Sequence, residues 1–170
     1  MRSHGRRGGV TLELILAFPI WLFFLLAVIE LGLLESNLQQ VVLASRVGAE
    51  EASQISLTGT TGTSHVPQSI VEIVEQQLES AGIAEEGISQ CRVILEHNVD
   101  GAYVRMDSQN ATCDCCAPPD EDFLPSFGRF VRVTVCVPMT AVTPNLLSCF
   151  GFDTADHVVQ QSTTFRHELH

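Results

Sequence analysis

The feature that most limits what this chain can become is an apolar run near its start, "VTLELILAFPIWLFFLLAVIELGLL", Val10 to Leu34, which follows Arg2, Arg6 and Arg7. Leu14 to Ile29 is 16 residues without a charge. With Glu30 placed near the far interface, the segment reaches Leu34, 21 residues or about 31 Å of helix, close to the thickness of a hydrocarbon layer. A cleaved secretory signal would have a shorter core, about 7 to 15 apolar residues, followed by a small-residue cleavage site. Here the run continues into Glu30-Leu31-Gly32-Leu33-Leu34-Glu35 with no such site. The expectation is a retained transmembrane helix.

Its orientation follows from charge. Three arginines precede the span and no basic residue follows it until Arg46, so the N-terminus is expected in the cytoplasm and the rest exported across the cytoplasmic membrane. Pro19 removes one backbone hydrogen bond inside the span and is expected to kink or loosen it locally.

Glu13 is the anomaly. An unpaired carboxylate at hydrocarbon depth costs several kcal/mol and therefore neutralises, finds a partner or sits at the interface. Two readings follow: an interfacial acid favoured by the positive end of the helix dipole, or a carboxylate with a cationic partner.

A short basic leader ending in Gly, then a hydrophobic segment with Glu at its fifth position, resembles a type IV prepilin-like leader. Within that group, "RRGGVTLELILAFPIWLFFLLAVIELG" resembles the TadE-like family of pilus-assembly minor pilins, through Arg7, Gly8, Glu13, Pro19, Glu30, Leu31 and Gly32. Leu14 and Leu31 stand where the family commonly has aromatic residues. The resemblance implies cleavage by a prepilin peptidase between Gly8 and Gly9, which makes Glu13 the fifth residue of the mature chain. It also implies that Glu13 meets a freed N-terminal amine, its own or a neighbour's, during assembly. The partners so implied are other pilin or pseudopilin subunits, the prepilin peptidase and a Tad inner-membrane assembly platform, with the subunit in the membrane or a surface pilus. The resemblance runs loosely through the rest of the chain; only the first third is specific.

Beyond the span, "LESNLQQVVLASRVGAEEASQIS" has Leu38, Val41, Val42, Ser45, Gly48, Ala52 and Ile55 near helical spacing, with small residues that allow close packing, and reads as a helical stalk packed on its own domain or on a neighbour. "LTGTTGTSH", Leu57 to His65, favours turns and reads as a linker. The organisation expected is a leader over 1–8, a transmembrane helix over 9–34, a stalk and Gly/Thr linker over 35–63, and an exported domain over 64–170.

In that domain "VPQSIVEIVEQQLESAG" places Ile70, Val71, Val74, Leu78 and Ala81 on one face, with Pro67 near the start and Gly82 at the end, the pattern of an amphipathic helix. Strand patterns follow in "CRVILEHNV" from Cys91, "AYVRMDS" from Ala102 and "RFVRVTVCVPM" from Arg129, with Asp100-Gly101 as a hairpin turn between the first two. "TPNLLSCFGF" opens on turn-forming Pro144 and Asn145, and "HVVQQSTTFRHEL" reads as a closing strand. The fold class expected is α+β: a transmembrane helix continuing into a stalk, a second helix and a small antiparallel sheet, which is pilin-like in the light of the resemblance.

The formal charge is −11, from 9 arginines, no lysine and 20 acidic residues; from Ser36 onward six arginines face 17 acids. That balance repels polyanions, so no nucleic-acid partner is expected. Cys91, Cys113, Cys115, Cys116, Cys136 and Cys149 all follow the span. Disulfides are favoured for an exported small domain, with metal binding and free or lipid-modified thiols as alternatives. The "CDCC" motif at 113–116 has no second Cys pair at finger spacing. The "DEDF" segment beside it lacks the spaced ligands of a calcium loop and reads as a solvated acidic stretch. His4, His65, His97, His157, His167 and His170 show no metalloprotease spacing and read as surface residues. Neither a nucleophile elbow nor a phosphate loop is present in the sequence. No catalytic residue, metal or cofactor is expected. A structural assembly subunit is the first reading; a membrane-tethered exported domain with an enzymatic or sensory role is the alternative.

Overall fold

The computed structural model describes residues 7–57, 65–108, 113, 128–153 and 157–167. The leader residues 1–6, the Gly/Thr stretch 58–64 and the "DCC" and "DEDF" residues within 114–127 lie outside the described residues.

One helix, α1, runs from Arg7 to Gln54, 48 residues or about 72 Å at 1.5 Å per residue. The apolar run and the stalk sequence are thus one continuous element. In its second half Val41, Ala44, Ser45, Gly48, Ala49, Ala52 and Ser53 are buried, a 3.6-residue stripe of mostly small side chains that brings the helix backbone close to its neighbours. A Cβ placed on Gly48 would lie 2.8 Å from Val74 Cγ2 and 3.2 Å from Val133 Cγ1. Half of the expected stalk belongs to the core of the domain, because its small-residue face leaves room for a second helix and the sheet.

Helix α2, Gln68–Ser80, buries Ile70, Val74 and Leu78 against that stripe. It ends in a Schellman motif: Ile83 N–H donates to Leu78 O, Gly82 N–H donates to Glu79 O, and Gly82 has φ +82°, a left-handed value that glycine adopts without penalty. A short helix α3, Glu85–Ser89, leads into the sheet.

The sheet comprises β1 (Arg92–His97), β2 (Val104–Asp107), β3 (Phe130–Pro138) and β4 (Val158–Arg166), in the order β2-β1-β3-β4 and antiparallel throughout. The β1–β2 turn contains Asp100 and Gly101, where Gly101 has φ +81° and its N–H donates to Asn98 O at 3.0 Å. Between β3 and β4 lie a one-turn helix α4, Met139–Val142, and a 3-10 segment, Leu146–Phe150. The whole is mixed helix and sheet, with a long apolar N-terminal helix and a small four-stranded antiparallel sheet.

One sheet face carries Val93, Leu95, Val131, Val133, Val135, Val137 and Val159 into the core with α1 and α2. Ser45 Oγ meets Thr163 Oγ1 at 2.7 Å where α1 crosses β4, and the Asn37 side-chain amide donates to Val142 O. These contacts fix the direction in which the exposed half of α1 leaves the domain.

Candidate functional site: the exposed half of α1 and the loop beside it

The first half of α1 is long and apolar enough to cross a membrane, and its most apolar 18-residue stretch has no buried residue. Phe18, Trp21, Phe24 and Val28 are all exposed. Gly8 and Gly9 are helical, in the first turn of α1. Glu13 is exposed. Gly9 and Glu13 are four residues apart on one helix, so they share a face about one turn apart, roughly 5 to 6 Å. An amine created at Gly9 would lie within reach of the Glu13 carboxylate of the same chain.

A single stripe of the exposed half turns toward the domain: Phe23, Leu26, Ala27, Glu30 and Leu34 are half-buried or buried, at i, i+3, i+4, i+7 and i+11. The loop after α4 lies against it. Phe150 packs edge-on to Phe23 with ring centroids 5.2 Å apart, and Phe152 lies 6.2 Å away. The loop is closed at its base by Asn145 Nδ2 donating to Asp153 Oδ1 at 2.8 Å. Glu30, about two turns along the helix from Phe23, is only 7% exposed. The sequence marks Pro144 and Asn145 as a turn but carries no signal for the contact with Phe23, since the partners are separated by more than a hundred residues.

The opposite face of the sheet holds charge. Glu96 and Arg132 are paired by register and join through Arg132 Nε and Glu96 Oε2 at 2.5 Å. The Tyr103 hydroxyl donates to Glu96 Oε1, and burial together with that carboxylate pushes the Tyr103 phenol up to about 12. Arg92 and Asp107 form a second, more exposed pair across β1 and β2.

Two histidines depart from the surface reading. His97 alternates with Val93 and Leu95 onto the core face and is fully buried, which lowers its pKa from the usual value; Asp100 opposes that shift and His167 adds to it. His167 is 8% exposed, and its Nε2 lies 3.0 Å from Ile55 O, tying the end of β4 to the end of α1. His65 and His157 are exposed; His4 and His170 lie outside the described residues.

Among the cysteines, Cys136 is buried and disulfide-bonded. Cys91 is a buried thiol that burial, and then the nearby Cys113 and Glu75, push up to about 12. Cys113 is buried as well. Cys115 and Cys116 lie outside the described residues, as does the side chain of Cys149. Among the described residues no group of three or more His, Cys, Asp or Glu is placed to hold a metal ion.

The chain matches no family model, no curated protein and no solved structure.

Proposed function

We propose that this chain is a TadE-like minor pilin or pseudopilin, a structural subunit of a Tad-type pilus or secretion machine and not an enzyme. The exposed half of α1 anchors it in the cytoplasmic membrane with its N-terminus inside and its α+β domain exported. A prepilin peptidase cuts between Gly8 and Gly9, and the amine so freed pairs with Glu13 during recruitment of other subunits on the inner-membrane platform.

The observation that supports this most is the continuity of α1. Its first half offers an apolar surface to lipid or to other helices, while its second half is built into the core of the domain. A subunit so made transmits the position of its membrane helix rigidly to its exported part. The one-turn spacing of Gly9 and Glu13 adds a reason for an acid at that depth.

The experiment is the intact mass, or N-terminal sequence, of the protein extracted from membranes of a host that has the peptidase. A chain starting at Gly9 supports the reading; a chain retaining Met1 overturns the processing and with it the pilin assignment.

A further inference from the structure

We propose that the loop Asn145–Phe152 is a second membrane contact, which seats Phe150 and Phe152 in the outer leaflet beside Phe23. The proposal rests on the reading of α1 as a membrane anchor.

Position along the helix carries it. A hydrocarbon layer of about 30 Å takes twenty steps of about 1.5 Å. Counted from Arg7, or from Gly9 after a cut, the far edge falls between Ala27 and Ile29, just before the buried Glu30. Phe23 then lies about 6 to 9 Å inside that edge. The rings of Phe150 and Phe152 are in contact with Phe23, so they are carried to the same depth. If the span ended instead at Leu34, the rings would sit about 16 Å deep, beyond the reach of a side chain from a loop backbone held at the boundary, where backbone facing lipid has to stay. The shallower placement is the one consistent with a loop.

The loop is built for such a place. From Asn145 to Phe152 it has no charged residue. Its backbone is partly satisfied internally, with Ser148 N–H donating to Asn145 O and Gly151 N–H to Ser148 O, and Asp153 marks the return to water at its base. Phe150 and Phe152 remain 49% and 58% exposed while they touch Phe23. Around them at the same level Phe24, Leu25 and Val28 are also exposed, so the apolar surface of loop and helix is continuous. The loop sequence from Thr143 to Asp153 holds no arginine, lysine or histidine to bind anionic headgroups, and the occupant is therefore the acyl-chain and interfacial region of the lipid itself. Two contacts fix the tilt of the domain on the membrane, which a single helix does not.

The test uses the full chain in phosphatidylcholine vesicles whose acyl chains carry bromine near either the carbonyl end or the methyl end. Bromine quenches tryptophan by contact, and Trp21 is the chain's one tryptophan. Trp21 is expected to lose more fluorescence to the deep bromines. The double variant Trp21→Phe, Phe152→Trp is expected to lose more to the shallow bromines, at every lipid-to-protein ratio. Phe150→Trp in the same background gives a repeat at the same depth. Quenching of Trp21 with none in the loop variants overturns the loop contact and leaves the anchor standing. No quenching of Trp21 overturns the anchor and the loop contact with it. Loop quenching that appears only on high dilution in lipid assigns the surface to a second copy of the chain and also overturns the proposal.

Discussion

Glu96 and Arg132 stand opposite one another on β1 and β3, joined at 2.5 Å, with side chains 1% and 5% exposed. Such a pair gives up hydration on both sides, and its attraction largely offsets that loss without much surplus. Removing one member leaves the other charge buried. Glu96→Gln or Arg132→Met alone is expected to cost about 3 to 5 kcal/mol, while Glu96→Leu combined with Arg132→Met is expected to be near neutral. Denaturant unfolding of the detergent-solubilised chain measures both. Single variants as stable as the parent would show that water reaches the pair.

Gly48 is where α1, α2 and β3 come closest. A side chain there meets Val74 and Val133, both β-branched and stiff. Gly48→Leu is expected to destabilise the domain by about 1 to 3 kcal/mol through overpacking, and Val74→Ala is expected to relieve part of that. Equal thermal midpoints for Gly48→Leu and the parent would place α2 further from α1 than described.

For Cys91 the thiol is held protonated by burial, with its pKa near 12. In the unfolded chain it ionises near the ordinary value of about 8.5. Stability from this group is fully present below that value and is lost as pH rises toward 12. At neutral pH a maleimide is expected to leave Cys91 unlabelled in the native chain and to label it after unfolding, since the thiolate is the nucleophile. Peptide mapping that finds Cys91 labelled as fast in the native as in the unfolded protein would contradict the burial.

His97 runs the other way with pH. Its pKa is lowered in the folded chain by burial and, secondarily, by His167, against the pull of Asp100. Above about pH 6.5 it is neutral in both states and adds nothing. Below that value the unfolded chain takes up the proton first, so stability falls as the pH drops toward the folded pKa. The unfolding midpoint is expected to decline from pH 7.5 to 5.5, and His97→Phe to flatten that decline. An identical slope in the variant would assign it to other groups.

Much of this architecture was legible because it is local. The first half of α1 follows from its hydropathy, α2 from the spacing of Ile70, Val74 and Leu78, and β3 from its alternation. What was hidden depends on register and distant packing. Arg132 lies on the face of β3 that alternation marks as polar, yet it is buried, because Glu96 comes opposite it only once β1 is in register. His97 reads as polar until its place beside Val93 and Leu95 turns it inward. Helices α3 and α4 are too short to show a period. The Phe23–Phe150 contact joins two segments that nothing in the intervening chain relates, so the candidate site was half readable: the helix and the turn at Pro144-Asn145 were, the contact between them was not.

Glu13 carries the last prediction. It is exposed on α1, one turn from Gly9 on the same face. If its carboxylate pairs with the amine freed at Gly9, the pair makes an acid tolerable at hydrocarbon depth and gives a neighbouring subunit's amine a site to exchange into. Glu13→Gln keeps size and hydrogen bonding and removes the charge. Membrane insertion is expected to survive, because the apolar run is untouched, and cleavage after Gly8 is expected to continue. Recovery of partner subunits by crosslinking in membranes is expected to fall. An acid that only complements the helix dipole is worth about 0.3 to 1 kcal/mol, and its loss would change crosslinking little. Crosslinking and appendage assembly equal to the parent's in Glu13→Gln, with insertion and cleavage intact, would remove the pairing and leave Glu13 as an interfacial charge.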